Sequence, residues 1–286
     1  MDRKKRTWIQ AAATLIQNAN IKGFFEGRIF RGSGKQICVP GLNCYSCPGA
    51  VGACPIGSLQ NALSARHFRF PYYVVGLMLF FGFLLGRLIC GLLCPLGFLQ
   101  DLLHRISFPL KLRSFPGERL LRKLKYVVLI LLVIVLPLCV KLTPFFCKYL
   151  CPSGTLAGLL LAFSDTTLFS AFGSHFAWKA CLLGMIVLLS LMIRRPFCKY
   201  LCPLGAFYGF FNRISLVRLE VDHGRCIHCQ KCARTCEMGI DPVQSPNSFE
   251  CIRCGECSEA CPTKALQIVH PFKQITRSAL DTKPER

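Results

Sequence analysis

Three long apolar stretches divide the chain: Tyr72–Leu85 (YYVVGLMLFFGFLL), residues 126–140 (YVVLILLVIVLPLCV) and residues 180–193 (ACLLGMIVLLSLMI). Each predicts a helix, somewhat shorter than the ~20 residues needed to cross hydrocarbon. Lys125, Lys141 and Lys179 flank these runs, and lysines there can snorkel to extend a span by about a turn. A soluble core helix would explain any one run. Three in succession, with basic flanks, predict membrane spans. Residues 7–25 are weaker, because Gln10, Gln17, Asn18, Asn20 and Lys22 interrupt the apolar pattern. They fit a short first span, an interfacial helix or an uncleaved signal-like anchor.

Charge orders these segments. The net charge is +21, from 35 Lys and Arg against 14 Asp and Glu. Basic residues gather at Arg3–Arg6, between Arg87 and Lys125, and from Arg194 to Arg218, whereas 142–178 carries Lys148 against Asp165. The positive-inside rule then places both ends and the 87–125 loop in the cytoplasm, with 142–178 outside. Four spans satisfy this and three do not. Residues 26–70 would also lie outside, where Arg28, Arg31 and Lys35 fit poorly. The basic balance could signal nucleic acid, but the cations alternate with apolar runs, so lipid is the expected partner and nucleic acid is not.

Twenty cysteines change the picture most. Such a count means either an oxidised extracellular scaffold or reduced thiolates on metal, and the spacing decides for metal. CIHCQKCARTCE and CIRCGECSEACP place Cys226, Cys229, Cys232, Cys236 and Cys251, Cys254, Cys257, Cys261 in two C-x2-C-x2-C-x3-C runs. In this pattern three cysteines wrap one cubane and the fourth reaches the other. Cys226, Cys229, Cys232 and Cys261 are thus expected on one [4Fe–4S] cluster, with Cys251, Cys254, Cys257 and Cys236 on a second. Pro262 follows the last run and Glu237 stands where the first would have proline. Tetrahedral zinc fits two such runs poorly.

A second cysteine pattern lies in the apolar part. GRLICGLLCPLGFLQDLLHRIS (86–107) aligns without gaps on RRPFCKYLCPLGAFYGFFNRIS (194–215), pairing Cys90 with Cys198 and Cys94 with Cys202. FCKYLCPSG holds Cys147 and Cys151, and the looser CPGAVGACPIGSLQ holds Cys47 and Cys54. Cysteines at i and i+4 share a side of a helix or turn. A proline next in sequence starts a new helix at no cost in hydrogen bonding. The free N–H groups of that helix start favour a negative thiolate cluster. Small packing residues or disulfides are the competing explanations. Predicted topology pairs Cys90, Cys94, Cys198 and Cys202 on the inner side, and Cys147 and Cys151 with Cys47 and Cys54 on the outer. Cys38 and Cys44 are left as substitute ligands, a disulfide or another site. The lone Cys139 and Cys181 are expected to pack.

The basic start RKKRTWIQ, the G-R-x-x-C-x-x-x-C-P-x-G repeats and the tail ferredoxin together resemble the ferredoxin-type membrane proteins of the NapH family and the wider membrane polyferredoxins. VPGLNCYSCPGA (39–50) is similar to a subgroup from anaerobic bacteria. The resemblance covers nearly the whole chain. It implies four spans, cytoplasmic termini, and electron movement between a quinone pool or cytoplasmic donor and an extracytoplasmic redox partner. The Cys38–Cys54 block and the third C-x3-C-P motif depart from the simpler NapH pattern.

The expected fold is mainly α: a polytopic membrane bundle of about four spans (1–218) with a C-terminal α+β two-cluster ferredoxin domain (219–270) and a tail (271–286). The expected function is electron transfer in the bacterial cytoplasmic membrane, through two tail clusters and two more in the membrane part. The ferredoxin domain would face the cytoplasm. The expected partners are a cytoplasmic redox donor and an extracytoplasmic redox protein, a flavoprotein among the candidates, or quinone. A quinol-oxidising or quinone-reducing subunit, with Gln10 lining the site, is the alternative. An iron–sulfur redox sensor or assembly factor is a third reading. A wire faces one difficulty: a 17-residue helix is about 26 Å long, so the clusters must sit deep. No histidine falls in the three clear spans, against bis-histidine haem, and no Gly-rich phosphate loop supports NAD(P)H or ATP use.

Overall fold

The apolar runs become helices whose outer faces stay largely uncovered. The computed structural model describes residues 3–66, 70–109, 111, 117–164 and 174–269; the expected tail 271–286, Arg113 and Asp165 lie outside the described residues. The chain opens with α1 (Arg3–Gln17) and α2 (Ile21–Glu26), followed by α3 (Pro55–Leu63), α4 (Tyr72–Leu85), α5 (Leu88–Leu92) and α6 (Pro95–Arg105). After α7 (Glu118–Leu121), α8 (Leu124–Val127) runs through a π-helical segment, Val128–Val135, into α9 (Leu136–Cys139). A π-helical turn, Phe146–Leu150, precedes α10 (Pro152–Ser164), α11 (Ser174–Met192), α12 (Pro196–Tyr200) and α13 (Pro203–Phe211).

Among the described helices, one stretch, His175–Met192 in α11, is long and apolar enough to cross a membrane, with mean hydropathy 1.7. Tyr72–Leu85 and Pro152–Ala162 are apolar but shorter. The expectation of about four spans meets one helix of spanning length among the described residues, while Tyr72–Leu85 ends at Gly86, whose φ is 55°. Outward apolar residues are abundant nonetheless, including Phe80, Phe83, Ile130, Leu131, Met185 and Leu188. Helix α1 is inverted relative to a water-facing helix. Its Trp8, Leu15 and Ile16 are exposed, while Arg6, Gln10 and Gln17 are buried.

The C-terminal part is small. Strand β1 (Arg218–Val221) pairs antiparallel with β2 (Leu266–Val269), Leu219 opposite Ile268. Short helices α14 (Lys231–Thr235) and α15 (Glu256–Ala260) pack together beside the pair. Leu219, Cys232 and Leu266 form its core.

Buried ion pairs fasten this part to the helices. Arg6 and Arg194 both reach Glu256, at 2.7 and 2.9 Å. Arg195 meets Asp101 at 2.6 Å, and Arg6 meets it at 3.1 Å. Arg87 and Lys125 share Glu250. Lys125 thus does not snorkel: it is fully buried, as are Arg87 and Arg195. Burial pushes the Asp101 carboxyl up, but the guanidiniums of Arg195, Arg194 and Arg6 prevail and hold it well below the usual carboxylate range. Burial likewise opposes, and Arg194, Arg6 and Arg3 overcome, for Glu256.

Removing one carboxylate from such a network strands buried cations, so Asp101→Asn should cost about 3–5 kcal/mol, read as a fall in the thermal unfolding midpoint of the solubilised protein. Depressed carboxyl pKa values stabilise the folded state above the unfolded-chain value, about pH 4. Protection of 219–269 from protease should therefore hold from neutral pH to about 5 and fail only as pH drops through the lowered values.

Candidate metal centres

Two loops of the C-terminal part repeat one backbone shape. His228 and Arg253, the third residues of the two cysteine runs, both have φ 51°, and Gln230 and Gly255 follow at 56° and 81°. These left-handed positions curl each C-x2-C-x2-C run around a hollow. One hollow is lined by Cys226, Cys229, Cys232 and Cys261, and the other by Cys236, Cys251, Cys254 and Cys257. The fourth cysteine thus crosses over, as the spacing requires. Burial pushes the Cys251 thiol up to about 11, against the Arg253 N–H that pulls it down. A ligand there must shed a proton as metal binds.

The two hollows face differently. His228 is exposed, whereas Arg253 is buried and donates to Leu85 O, Ser215 Oγ and Asn212 O at 3.1, 2.7 and 2.6 Å. The 251–257 loop therefore lies against the helices. Gly91, next to Cys90, is so close that a Cβ would sit 2.5 Å from Ile252 O.

In the helical part the cysteine–proline motif forms a corner, used four times. Cys54, Cys94, Cys151 and Cys202 have extended backbones, with ψ of 128°, 117°, 112° and 113°. Each next residue is the proline that begins α3, α6, α10 or α13. The first cysteine of each well-formed motif, Cys90, Cys147 or Cys198, lies in the preceding short turn. The pair is therefore joined across a short turn that the proline helix follows, one of the two forms the i, i+4 spacing allows. The glycine three residues beyond each corner cysteine turns its N–H to that sulfur: Gly57 to Cys54, Gly97 to Cys94, Gly154 to Cys151 and Gly205 to Cys202. Helix starts thus aim amide hydrogens at the thiols.

The corners associate in two pairs. Cys90, Cys94, Cys198 and Cys202, all buried, interact electrostatically with one another. Cys54, Cys147 and Cys151 make a second set, and its fourth member is Cys44. Cys47, expected there, sits in a tight turn with its Sγ toward Asn18 Oδ1 at 3.8 Å, packed with Ala50 and Ala157. Spacing could not reveal that turn. Cys38 is buried beside Ser58 Oγ and is not part of a disulfide. Cys139 and Cys181 face outward instead of packing in the core. Among the described residues, no three His, Cys, Asp or Glu side chains converge as around a single metal ion. Four thiols, two in each set met by backbone amide hydrogens, suit the larger cubane, with its negative charge and thiolate ligation.

Sequence reasoning missed the residues that lock the pairs. Arg87 donates to Cys198 O at 3.2 Å, and Arg195 reciprocally to Cys90 O. Each arginine precedes the first cysteine of its own repeat by three residues and caps the other repeat. Gly97 and Gly205 make room: a Cβ at either would lie 3.3 Å from the crossing guanidinium. Gln100 accepts from Phe197 N at 3.2 Å and donates to Cys198 Sγ at 3.3 Å, while Gln60 accepts from Cys147 N at 3.2 Å. Both glutamines stand five residues after a motif proline, a repeat signal that could have found them. Gln10, expected to line a quinone site, instead donates to Gly91 O and Asp101.

Tyr208 occupies the glutamine position in the last motif and links the two sets. It is fully buried, donates to Pro40 O at 3.2 Å, and feels Cys90, Cys94, Cys54 and Cys38 electrostatically. Leu42 N–H also points to the Cys94 sulfur. Cysteines of both sets share one continuous core.

This fold and these thiol sets define an iron–sulfur electron-transfer protein. The 4Fe–4S binding domain family model matches residues 67–116, 124–166 and 174–221, and a second 4Fe–4S binding domain model matches 246–267. Two uncharacterised proteins of Methanocaldococcus jannaschii are 34% and 32% identical, aligned over 64% and 67% of this chain and 65% and 75% of theirs. The ferredoxin-type protein NapH of Haemophilus influenzae is 27% identical over 74% of this chain and 73% of its own. No solved structure matches. The chain belongs to the NapH-like ferredoxin-type proteins.

Gly205→Ala should overpack the Arg87 crossing, at about 1–3 kcal/mol. Iron bound by the helical part should fall while the tail's EPR signal persists.

Proposed function

We propose that this protein conducts electrons across the bacterial cytoplasmic membrane, between a cytoplasmic donor at the C-terminal part and an extracytoplasmic acceptor. Four [4Fe–4S] clusters would be held by Cys226/Cys229/Cys232/Cys261, Cys236/Cys251/Cys254/Cys257, Cys90/Cys94/Cys198/Cys202 and Cys44/Cys54/Cys147/Cys151. Bound clusters supply the one-electron carriers. The remaining work falls to the chain, which fixes their order and keeps water away.

The observation that carries this reading is the unbroken succession of contacts between the sets. Ile252, between Cys251 and Cys254, abuts Gly91 beside Cys90. Tyr208 and Leu42 then join the Cys90 set to the block that carries Cys44 and Cys54. The distance difficulty is eased by short helices that turn back at the cysteine–proline corners, which lets both sets lie deep. The exposed Trp8, Leu15 and Ile16 over a polar buried face fit α1 lying against lipid. The exposed Arg105, Arg119, Lys123, Arg213 and Arg218 favour a cytoplasmic C-terminal part.

Iron and labile-sulfide analysis with EPR on the purified protein tests this: four clusters are expected. Cys44→Ser should remove one, whereas Cys47→Ser and Cys38→Ser should leave all four. Iron confined to the two tail clusters would sink the conduction reading.

A further inference from the structure

The two thiol sets in the helical part are surrounded by different charges. Around the Cys90 set every cation meets a carboxylate, though two cations share Glu250 and three share Asp101. Arg87 lies against Glu250 at 3.1 Å and Arg195 against Asp101 at 2.6 Å, with Lys125 also on Glu250. Around the Cys44 set the nearby cations are two lysines, Lys35 and Lys179. Lys35 is buried, donates to Tyr45 O at 2.5 Å, and interacts electrostatically with Cys44 and Cys47. Lys179 donates to Cys147 O at 3.3 Å and interacts with Cys147 and Cys151. Neither lysine has a carboxylate ion-pair partner among the described residues, since both hydrogen bonds end on backbone carbonyls. The sequence explains why. No acidic residue occurs from 27 to 100, from 119 to 164 or from 166 to 219. Glu26 is exposed in a cleft that it shares with Lys22, Arg28 and Arg31, and Asp165 lies outside the described residues.

An extra electron on a thiolate-ligated cluster adds negative charge, so an uncompensated cation nearby stabilises the reduced form and raises the reduction potential. The effect is largest where water is absent. We infer that Lys35 and Lys179 are charge-setting residues of the outer centre, each raising its reduction potential. This inference rests on the proposed four-centre reading. In each transfer one electron leaves the cluster at the Cys90 set, which is oxidised, and enters the cluster at the Cys44 set, which is reduced. No bond is made or broken and no proton moves. The electron is supplied by a reduced cytoplasmic iron–sulfur or flavin protein and is taken by an oxidised extracytoplasmic one-electron acceptor. Arg28, Arg31 and Lys35, which fitted an outer location poorly by the positive-inside rule, belong to this cationic pole.

The test is an EPR-monitored redox titration of the full-length protein, with the outer centre's signal identified by its loss in Cys151→Ala. The inner centre's signal is the one lost in Cys198→Ala. Lys179→Met and Lys35→Met should each move the outer midpoint to lower potential and leave the inner one in place. Lys179→Arg, which keeps the charge, should restore it. Iron content of each variant establishes that the centre is still loaded, and a variant that loses iron is replaced by Lys179→Gln. A loaded outer centre whose midpoint ignores both lysines overturns this inference and leaves the four-centre reading standing. Absence of the outer centre from the unaltered protein overturns both.

Discussion

The constraint on which the rest of the structure depends is the placement of many thiols, as future thiolates, in the least polar part of a chain. Negative charge is costly there unless hydrogen bonds and cations meet it. The cysteine–proline corner supplies the hydrogen bonds: it ends one turn, starts a helix and points a glycine N–H at the sulfur. The turns that lead into the three well-formed corners are short, five residues each, which places amide donors in the interior.

Pairing the corners required a second device. Crossed arginines, Arg87 on Cys198 O and Arg195 on Cys90 O, tie the two best-matched repeats into one unit. Their outer ends are held by Glu250 and Asp101. Glu250 directly precedes Cys251, so the group that neutralises Arg87 also fixes the C-terminal loop over Gly91. One network thereby both orders the Cys90 set and docks the neighbouring Cys251 set. The second pair is locked differently, by Gln60 on Cys147 N and Lys179 on Cys147 O. The first set thus meets arginines that are ion-paired, and the second meets lysines that end on backbone carbonyls.

Much of the site was legible in order and spacing. The crossed cysteine sets of the two tail runs and the gapless 86–107/194–215 repeat followed from local pattern, and the grouping of Cys90, Cys94, Cys198 and Cys202 from that repeat and the predicted topology. Local pattern is readable because φ/ψ preferences and helix starts act over a few residues. The basic residues were less transparent. Arg6, Arg87, Arg194 and Lys125 looked like topology signals and are buried ion-pair partners. A charge count cannot distinguish a solvated cation from one that meets a carboxylate 95 or 250 residues away.

The sequence by itself determined that this chain is an iron–sulfur protein with repeated cysteine–proline motifs and two cysteine runs in its C-terminal part, because those features depend on short-range spacing. Only the tertiary structure decided that Cys44 and not Cys47 joins Cys54, Cys147 and Cys151. It alone placed Ile252 on Gly91, and Tyr208 between the two helical thiol sets. Those choices rest on a turn geometry and on contacts between distant segments, and neither leaves a periodic trace in the chain.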